Sequence, residues 1–542
     1  MKRAVVVLSA LMLLLLLAVL VMPAFAQTAT PAAPTPTPAP KTPAELACDK
    51  LKDLKLPATT ITEVEFVMKR PVEEKFGVVV YGPDWKSPKS AFGQASVGVP
   101  FCRVAATVEP AIKFEVWMPP ADKWNGKFFG VGNGALAGGI NYPAMVSPLM
   151  RGYAVASTDG GHESPAPVVG DWMNGRPDLW DDFGYRAIHE MTKKSKLIVE
   201  AYYGKAPAHS YFQGCSGGGQ QALAEAQRYP ADYDGIIAGA PANFPTRMWP
   251  GEVWPAFVTH RSKAYEIPLE KLPLIHEAAV KACDALDGEQ DGLIEDPRQC
   301  KFDPAVLQCK GADAADCLTA EQVDSVKKVY DGLRDPTTGE LFWPGYEPGS
   351  ELDWPGHIGE PFVIPLSYFK YMVFNNPDWD WKTFDFTDPK DFAILYDADA
   401  RYGPILNATD PDLTAFRLLG GKLILWHGWA DQNIAPRNTI NYYNSVVEDV
   451  GSEAEAQKFV RLFMIPGVGH CRGGEGPDTF DMVSALEQWV EKGIAPDMVI
   501  ASKIKDGKPA FSRPLCPYPQ TIEYKGSGSM DDAANFVCGK PK

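Results

Sequence analysis

A serine framed by glycines, Gly214-Cys215-Ser216-Gly217-Gly218, lies between an aromatic run, Tyr211-Phe212, and a helix-forming run, Gln220–Arg228. This is the G-x-S-x-G spacing of a nucleophile elbow, in which a strand turns sharply into a helix and exposes one serine on a strained bend. Small neighbours are needed there because the turn leaves no room for side chains beside a residue held in a disfavoured backbone region. A serine hydroxyl is a weak nucleophile at neutral pH. It needs an imidazole to take its proton and a carboxylate to fix that imidazole's tautomer. Where the elbow is used, acid and then histidine follow the serine in the chain. Asp431, in His427-Gly428-Trp429-Ala430-Asp431, and His470, in Pro466-Gly467-Val468-Gly469-His470-Cys471, fit that order. Each stands just beyond a short apolar run, Lys422–Trp426 and Val460–Ile465, where a loop after a buried strand belongs. Of the eight histidines, only His470 has a strand before it, a helix after it and a glycine beside it; His427 and His162 are its rivals.

Cys215 adjoins the serine and Cys471 adjoins the histidine. A disulfide holds two Cα atoms about 4.4–6.8 Å apart, so a Cys215–Cys471 bridge would set Ser216 and His470 side by side. The alternative is two unrelated structural cysteines. There are ten cysteines and no C-x-x-C pair, which weakens zinc and thioredoxin-like readings.

The second group with chemistry is acidic: Cys283-Asp284-Ala285-Leu286-Asp287-Gly288-Glu289-Gln290-Asp291-Gly292-Leu293-Ile294-Glu295-Asp296, closed by Cys300. Clustered carboxylates with turn glycines suit a hard, oxygen-seeking cation such as Ca²⁺, although the spacing is not that of an EF-hand. A solvated acidic loop is the plain alternative, and the bracketing cysteines weigh against it.

The elements that must position these groups alternate. Phe114–Met118, Phe128–Val131, Tyr153–Ser157 and Ile236–Gly239 read as strands and Asp182–Tyr202 as a helix, so residues 44–245 predict a mostly parallel sheet covered by helices. Residues 246–406 are rich in Trp, Pro and Asp. They hold helical pieces (Leu269–Leu286, Ala320–Leu333) but no run of βα units, and read as an insertion over the core. The α/β pattern returns in 407–542, with a helix at Asn438–Val447 and an amphipathic one at Thr479–Lys492. Before all this, Lys2 and Arg3 precede the apolar run Ala4–Val21 and an Ala24-Phe25-Ala26 cleavage site, so residues 1–26 read as a secretory signal peptide. Residues 27–43 follow as a Pro-rich linker. The expected location is secreted or periplasmic, with disulfides permitted. Lys and Arg number 52 against 68 Asp and Glu, a net charge of −16 without a basic block, which argues against nucleic acid or anionic membrane as partner.

Cys215-Ser216, Asp431 and His470-Cys471 together resemble the CS-D-HC signature of the tannase/feruloyl esterase family, whose relatives include the mono(2-hydroxyethyl) terephthalate hydrolases. The resemblance runs from about Cys48 to Cys538. It implies an α/β-hydrolase core with a large lid domain inserted between nucleophile and acid, and a serine esterase with Ser216 as nucleophile, His470 as acid/base and Asp431 as its orienting partner. It implies oxyanion donors at Gly217 and at Gly134 or a neighbour. Family members read G-x-G-G at that loop, and this chain has Gly134-Ala135. It implies a structural Ca²⁺ in the lid, held by side chains of Asp284, Asp287 and Asp291 and carbonyls of Glu289 and Leu293. It further implies the pairings Cys283–Cys300, Cys309–Cys317, Cys516–Cys538 and Cys48–Cys102. The implied partner is a small aromatic ester of plant cell-wall or polyester origin: a feruloyl or other hydroxycinnamoyl ester first, with galloyl esters and terephthalate monoesters as alternatives. The aromatics of the insertion (Trp343, Tyr346, Phe362, Tyr368, Phe369, Tyr371, Phe374, Trp379, Trp381) are read as either a stacking pocket or the insertion's own core. A peptidase would use the same triad, but nothing here resembles a peptidase's substrate-binding domain. A non-catalytic binding protein on a hydrolase scaffold would be expected to lose a triad member, and this chain keeps all three.

Overall fold

The computed structural model describes residues 40–68, 71–75, 78–81 and 84–540. The leader read at 1–26, and the linker up to residue 39, lie outside them. Nine strands form the central sheet: β1 (Thr59–Val67), β2 (Phe101–Val108), β3 (Ile112–Met118), β4 (Lys127–Val131), β5 (Ala154–Thr158), β6 (His209–Cys215), β7 (Gly235–Gly239), β8 (Lys422–Gly428) and β9 (Val460–Ile465). Their spatial order is β1-β2-β3-β5-β4-β6-β7-β8-β9. From β5 to β9 every pairing is parallel, whereas β1, β2 and β3 form an antiparallel meander that joins at β5. The sequence reading expects helix–strand alternation from residue 44. It fails at this edge because β2 and β3 are joined by a tight turn with no room for a crossover helix.

β5 and β7 are buried at every position, as strands covered on both faces must be. Alternate residues serve opposite faces. Phe212, Ile236, Ala238, Leu423 and Leu425 pack on one side with the helices Ala187–Tyr203, Gly217–Arg228 and Pro436–Val450. Tyr211, Ile237, Ile424 and Trp426 pack on the other with the helices Tyr142–Met150 and Met482–Lys492. The strand ends and loops after β4, β6, β8 and β9 are therefore held from both sides.

Between β7 and β8 lie the helices Pro245–Thr259, Leu272–Cys283, Ala320–Asp331 and Pro389–Leu406, with an apolar cluster of their own. Trp343, Tyr346, Tyr368, Phe369, Trp379 and Trp381 are buried in that cluster, so these aromatics build the insertion's core. The helices read at Leu269–Leu286 and Ala320–Leu333 are shorter, Leu272–Cys283 and Ala320–Asp331, whereas those read at Asn438–Val447 and Gln220–Arg228 are longer, Pro436–Val450 and Gly217–Arg228. Leu269–Lys271 and Asp284–Asp287 are 3₁₀ turns, and a π turn at Asp182–Arg186 precedes Ala187–Tyr203. Thr479–Phe480 is a strand that starts a small antiparallel sheet with Val499–Lys505 and Lys508–Leu515; the helix begins only after the Asp481 cap.

Five disulfides are formed: Cys48–Cys102, Cys215–Cys471, Cys283–Cys300, Cys309–Cys317 and Cys516–Cys538. Among the described residues no cysteine is free and no helix is long and apolar enough to cross a membrane.

Candidate active site

Ser216 stands between β6 and the helix Gly217–Arg228 with φ 64° and ψ −123°, a region side chains disfavour. The bend is fixed by its backbone: the Ser216 N–H donates to Gly239 O, and Ser216 O accepts from Gln220 N and Ala242 N. The neighbouring glycines are sterically required. A Cβ on Gly214 would lie 2.2 Å from Gly218 O, and one on Gly219 would lie 2.5 Å from Gly239 O.

Asp431, wholly buried after β8, accepts four hydrogen bonds. Its Oδ1 takes the N–H groups of Asn433 and Ile434, at 2.8 and 2.9 Å. Its Oδ2 takes His470 Nδ1 at 2.8 Å and His427 Nε2 at 3.1 Å. Burial raises its pKa, but the charge of His470 and the donors from both imidazoles outweigh that and hold the carboxyl well below the usual range. His470 therefore has its Nδ1 proton fixed on a permanent anion, which leaves Nε2 as the basic nitrogen.

The two rivals of His470 have other partners. His427 is fully buried, with Nε2 facing Asp431 Oδ2 and Ile434 O, and Nδ1 facing Thr439 Oγ1 at 2.7 Å. It braces the acid from behind. His162 lies stacked on Trp172, with Nε2 2.9 Å from Leu136 O, and burial lowers its pKa to about 4.

The Cys215–Cys471 bridge, 6.1 Å between Cα atoms, ties the residue before Ser216 to the residue after His470 across 256 positions. Cys471 itself sits at φ 63°, so the histidine loop is bent at the point where it is tethered. Opening this bridge by Cys215→Ser with Cys471→Ser frees a loop whose closure entropy amounts to roughly 5 kcal/mol. Both activity and Tm fall together, in a thermal melt read beside an ester assay. A double variant with wild-type rates would mean that packing alone positions His470.

The loop after β4 approaches the elbow closely. Its Asn133 N–H donates to Gln221 Oε1, and Asn133 Nδ2 reaches Gly139 O and Thr158 O. The amides of Gly132, Leu136, Ala137 and Gly138 are engaged by Gln213, Pro167, Gly134 and Asp159 carbonyls. Gly134 and Ala135 are left as candidates to face a substrate oxygen together with Gly217. Ala135 N is the nearer: a Cβ on Gly217 would lie 3.3 Å from it. Ala135 holds φ 49°, a left-handed conformation that costs a non-glycine residue roughly 1–2 kcal/mol, so this chain keeps the glycine-like bend with a side chain on it.

Ser216, Gly217, Gly134, Cys215, His470 and Cys471 line one cavity of about 300 Å³. Its walls are mostly apolar: Phe92, Val168, Phe183, Met248, Trp249 and Phe362. Of the insertion aromatics singled out in the sequence, only Phe362 reaches it. Met248, Trp249 and Glu252 were missed. The signal for them is the helix Pro245–Thr259, an apolar run broken by prolines and carrying a single acid.

The acidic loop folds onto itself. Asp284 Oδ1 accepts from Asp291 N and Gly292 N, Asp287 Oδ1 from Glu289 N, and Asp291 Oδ1 from Leu293 N, while Asp291 Oδ2 pairs with Arg513 at 2.6 Å. Burial, with Asp291 and Asp284 close by, raises Asp287 to about 6. Carboxylates are the donor type a hard cation takes, but these are turned to the loop's own amides and to Arg513, and their ligand atoms do not all come within 4.8 Å of one another. Elsewhere among the described residues, His189, Glu225 and Asp232 have ligand atoms within 4.8 Å of one another. There His189 Nδ1 already pairs with Asp232 at 2.6 Å, and burial pushes Glu225 well above the carboxylate range, which disfavours the ionised form a metal ligand needs.

The profile of the family described as tannase and feruloyl esterase matches residues 95–539. An uncharacterised esterase of Xanthomonas campestris pv. campestris is 37% identical over 91% of each chain. A probable feruloyl esterase B-2 of Aspergillus terreus is 35% identical over 82% of this chain and 87% of that one. Among solved structures, feruloyl esterase B from Aspergillus oryzae superposes with a TM-score of 0.82 at 28% identity, covering 92% of this chain and 100% of that one.

Proposed function

The chain belongs to the tannase and feruloyl esterase family and is a carboxylic-ester hydrolase with an α/β-hydrolase fold; from that premise we propose that Ser216, His470 and Asp431 hydrolyse esters of aromatic acids through an acyl-enzyme. Ser216 attacks the ester carbonyl as His470 Nε2 takes its proton. The oxyanion accepts from Gly217 N–H and from Gly134 or Ala135 N–H. As the tetrahedral adduct collapses, His470 returns the proton to the departing alcohol, leaving the acyl group on Ser216. Water then attacks with His470 as base, and the acid leaves. Asp431 holds the imidazole and stabilises its charged form throughout.

The observation that carries this reading is the Asp431–His470 hydrogen bond at a cavity that Ser216 also lines, with serine and histidine loops joined by Cys215–Cys471. The apolar walls favour a flat aromatic acyl group. No Lys or Arg is among the described residues lining the cavity, so a free ring carboxylate has no cation to meet there. That weighs for hydroxycinnamoyl or galloyl esters and against terephthalate monoesters. The test is a panel of methyl ferulate, methyl gallate, mono(2-hydroxyethyl) terephthalate and p-nitrophenyl acetate. Turnover of a phenolic ester well above that of the terephthalate is the expected result, and no turnover of any of the four by folded protein would overturn it.

We also read the acidic loop as a structural Ca²⁺ site. Asp284, Asp287 and Asp291 would supply carboxylates and Glu289 and Leu293 carbonyls; the ion neutralises them, and the loop lies outside the Ser216 cavity. Ion at a hundredfold its Kd adds about 2.7 kcal/mol. EGTA therefore lowers the Tm of the wild type by a few degrees and leaves that of Asp287→Asn unmoved; identical melting with and without chelator in both would refute the site. The five disulfides and the leader pattern fit export from the cytoplasm.

A further inference from the structure

One ionisable side chain interrupts the apolar wall beside Ser216 and His470. Glu252, midway along the helix Pro245–Thr259, is 3% exposed and lines the same cavity. Its Oε2 has no hydrogen-bond partner. An unpaired carboxyl in a protein interior is costly, and in a substrate cavity the group able to satisfy it is the substrate.

We propose that Glu252 recognises the acyl ring, hydrogen-bonding an oxygen substituent on it, so that this chain selects phenolic acyl groups over bare or carboxylate-bearing rings. The inference rests on the ester-hydrolase reading above and names its substrate class. Burial, with the Asp431 charge nearby, pushes Glu252 well above the ordinary carboxylate range, which favours its neutral form. A neutral carboxyl offers one O–H donor and one carbonyl acceptor side by side. Adjacent oxygens on an aromatic ring, a hydroxyl beside a methoxyl or a second hydroxyl, match that pair. The hydroxyl donates to the carbonyl oxygen, and the neighbouring oxygen accepts from the O–H. An ionised ring carboxylate would instead meet a buried acid and the field of Asp431. The rival account is bound water. Tyr346 Oη and His357 Nδ1 are also buried without partners, and Tyr346 feels the charges of Glu252 and Asp431, so a solvent chain could satisfy all three.

The test compares kcat/KM for methyl ferulate with that for methyl cinnamate, whose ring carries no oxygen, in wild type, Glu252→Gln, Glu252→Leu and Glu252→Met. The wild type should prefer ferulate by on the order of 10–100-fold. Gln keeps a donor and an acceptor and should keep most of the preference, whereas Leu and Met should bring the ratio close to one. Two nonpolar replacements of different shape guard against one that does not fold. A wild-type ratio near one, or an unchanged ratio in a folded Leu or Met variant, overturns the proposal and leaves bound water as the partner. Wild-type hydrolysis of methyl cinnamate stands independently. Its absence together with that of ferulate would count against the aromatic-ester reading, and its presence keeps that reading intact whatever Glu252 does.

Discussion

Ser216→Ala lowers kcat on a phenolic methyl ester by on the order of 10⁴–10⁶-fold and leaves the melting temperature in place. The loss is large because no other described group at the cavity joins an elbow to a basic nitrogen. Stability is preserved because alanine has the same Cβ. The strain at φ 64° is unchanged, and so are the backbone bonds to Gly239 O and from Ala242 N. The remaining rate is that of a cavity with its oxyanion donors and imidazole intact, acting on water. A fall of less than tenfold would place the nucleophile elsewhere.

Asp431→Asn is the second large effect, about 10⁴-fold in kcat. All four partners of Asp431 donate, two to each oxygen. An amide has one acceptor oxygen and one NH₂ donor, so it cannot answer both sides. With its oxygen kept on the Asn433 and Ile434 amides, the NH₂ faces His470 Nδ1 and His427 Nε2. His470 must then accept at Nδ1 and carry its proton on Nε2, where it can no longer take one from Ser216. The opposite orientation sets the NH₂ against two backbone N–H groups in a fully buried place. The expected outcome is a folded protein, somewhat less stable, with the pH profile of kcat altered as well as its height. Single-turnover kinetics and a thermal melt on the same sample separate the two. Activity within tenfold of wild type would mean that another carboxylate orients His470.

The elbow, the acid and the histidine were legible because each sits at the end of an apolar strand run, and strands buried on both faces leave that mark in one dimension. The order of residue types along the chain then suffices. Cys215 and Cys471 could be read for a different reason, since they adjoin residues already singled out. The β1–β3 edge was not legible. A meander and a βα unit differ in the connection, and the three-residue turn between β2 and β3, residues 109–111, carries little pattern. Nor was the wall of the cavity. Of the nine insertion aromatics named from the sequence only Phe362 reaches it, because burying aromatic area inside the insertion uses the same composition as lining a pocket. Glu252 shows what was overlooked. A single acid in an apolar, proline-broken helix is a stronger pointer than another aromatic, since it must find a partner. His427 taught the reverse. It stood as a rival base in the sequence, and the fold sets it against the acid with both ring nitrogens engaged.

The proposed mechanism requires the acyl group to pass through Ser216. Wild type and Ser216→Ala are inactivated with a serine-directed aryl phosphonate, and the adduct is located by peptide mass spectrometry. One adduct per wild-type chain is expected, on the peptide that carries Ser216, formed as ester hydrolysis is lost, and none in Ser216→Ala. An adduct on a different residue, or full inactivation with Ser216 unmodified, would contradict it.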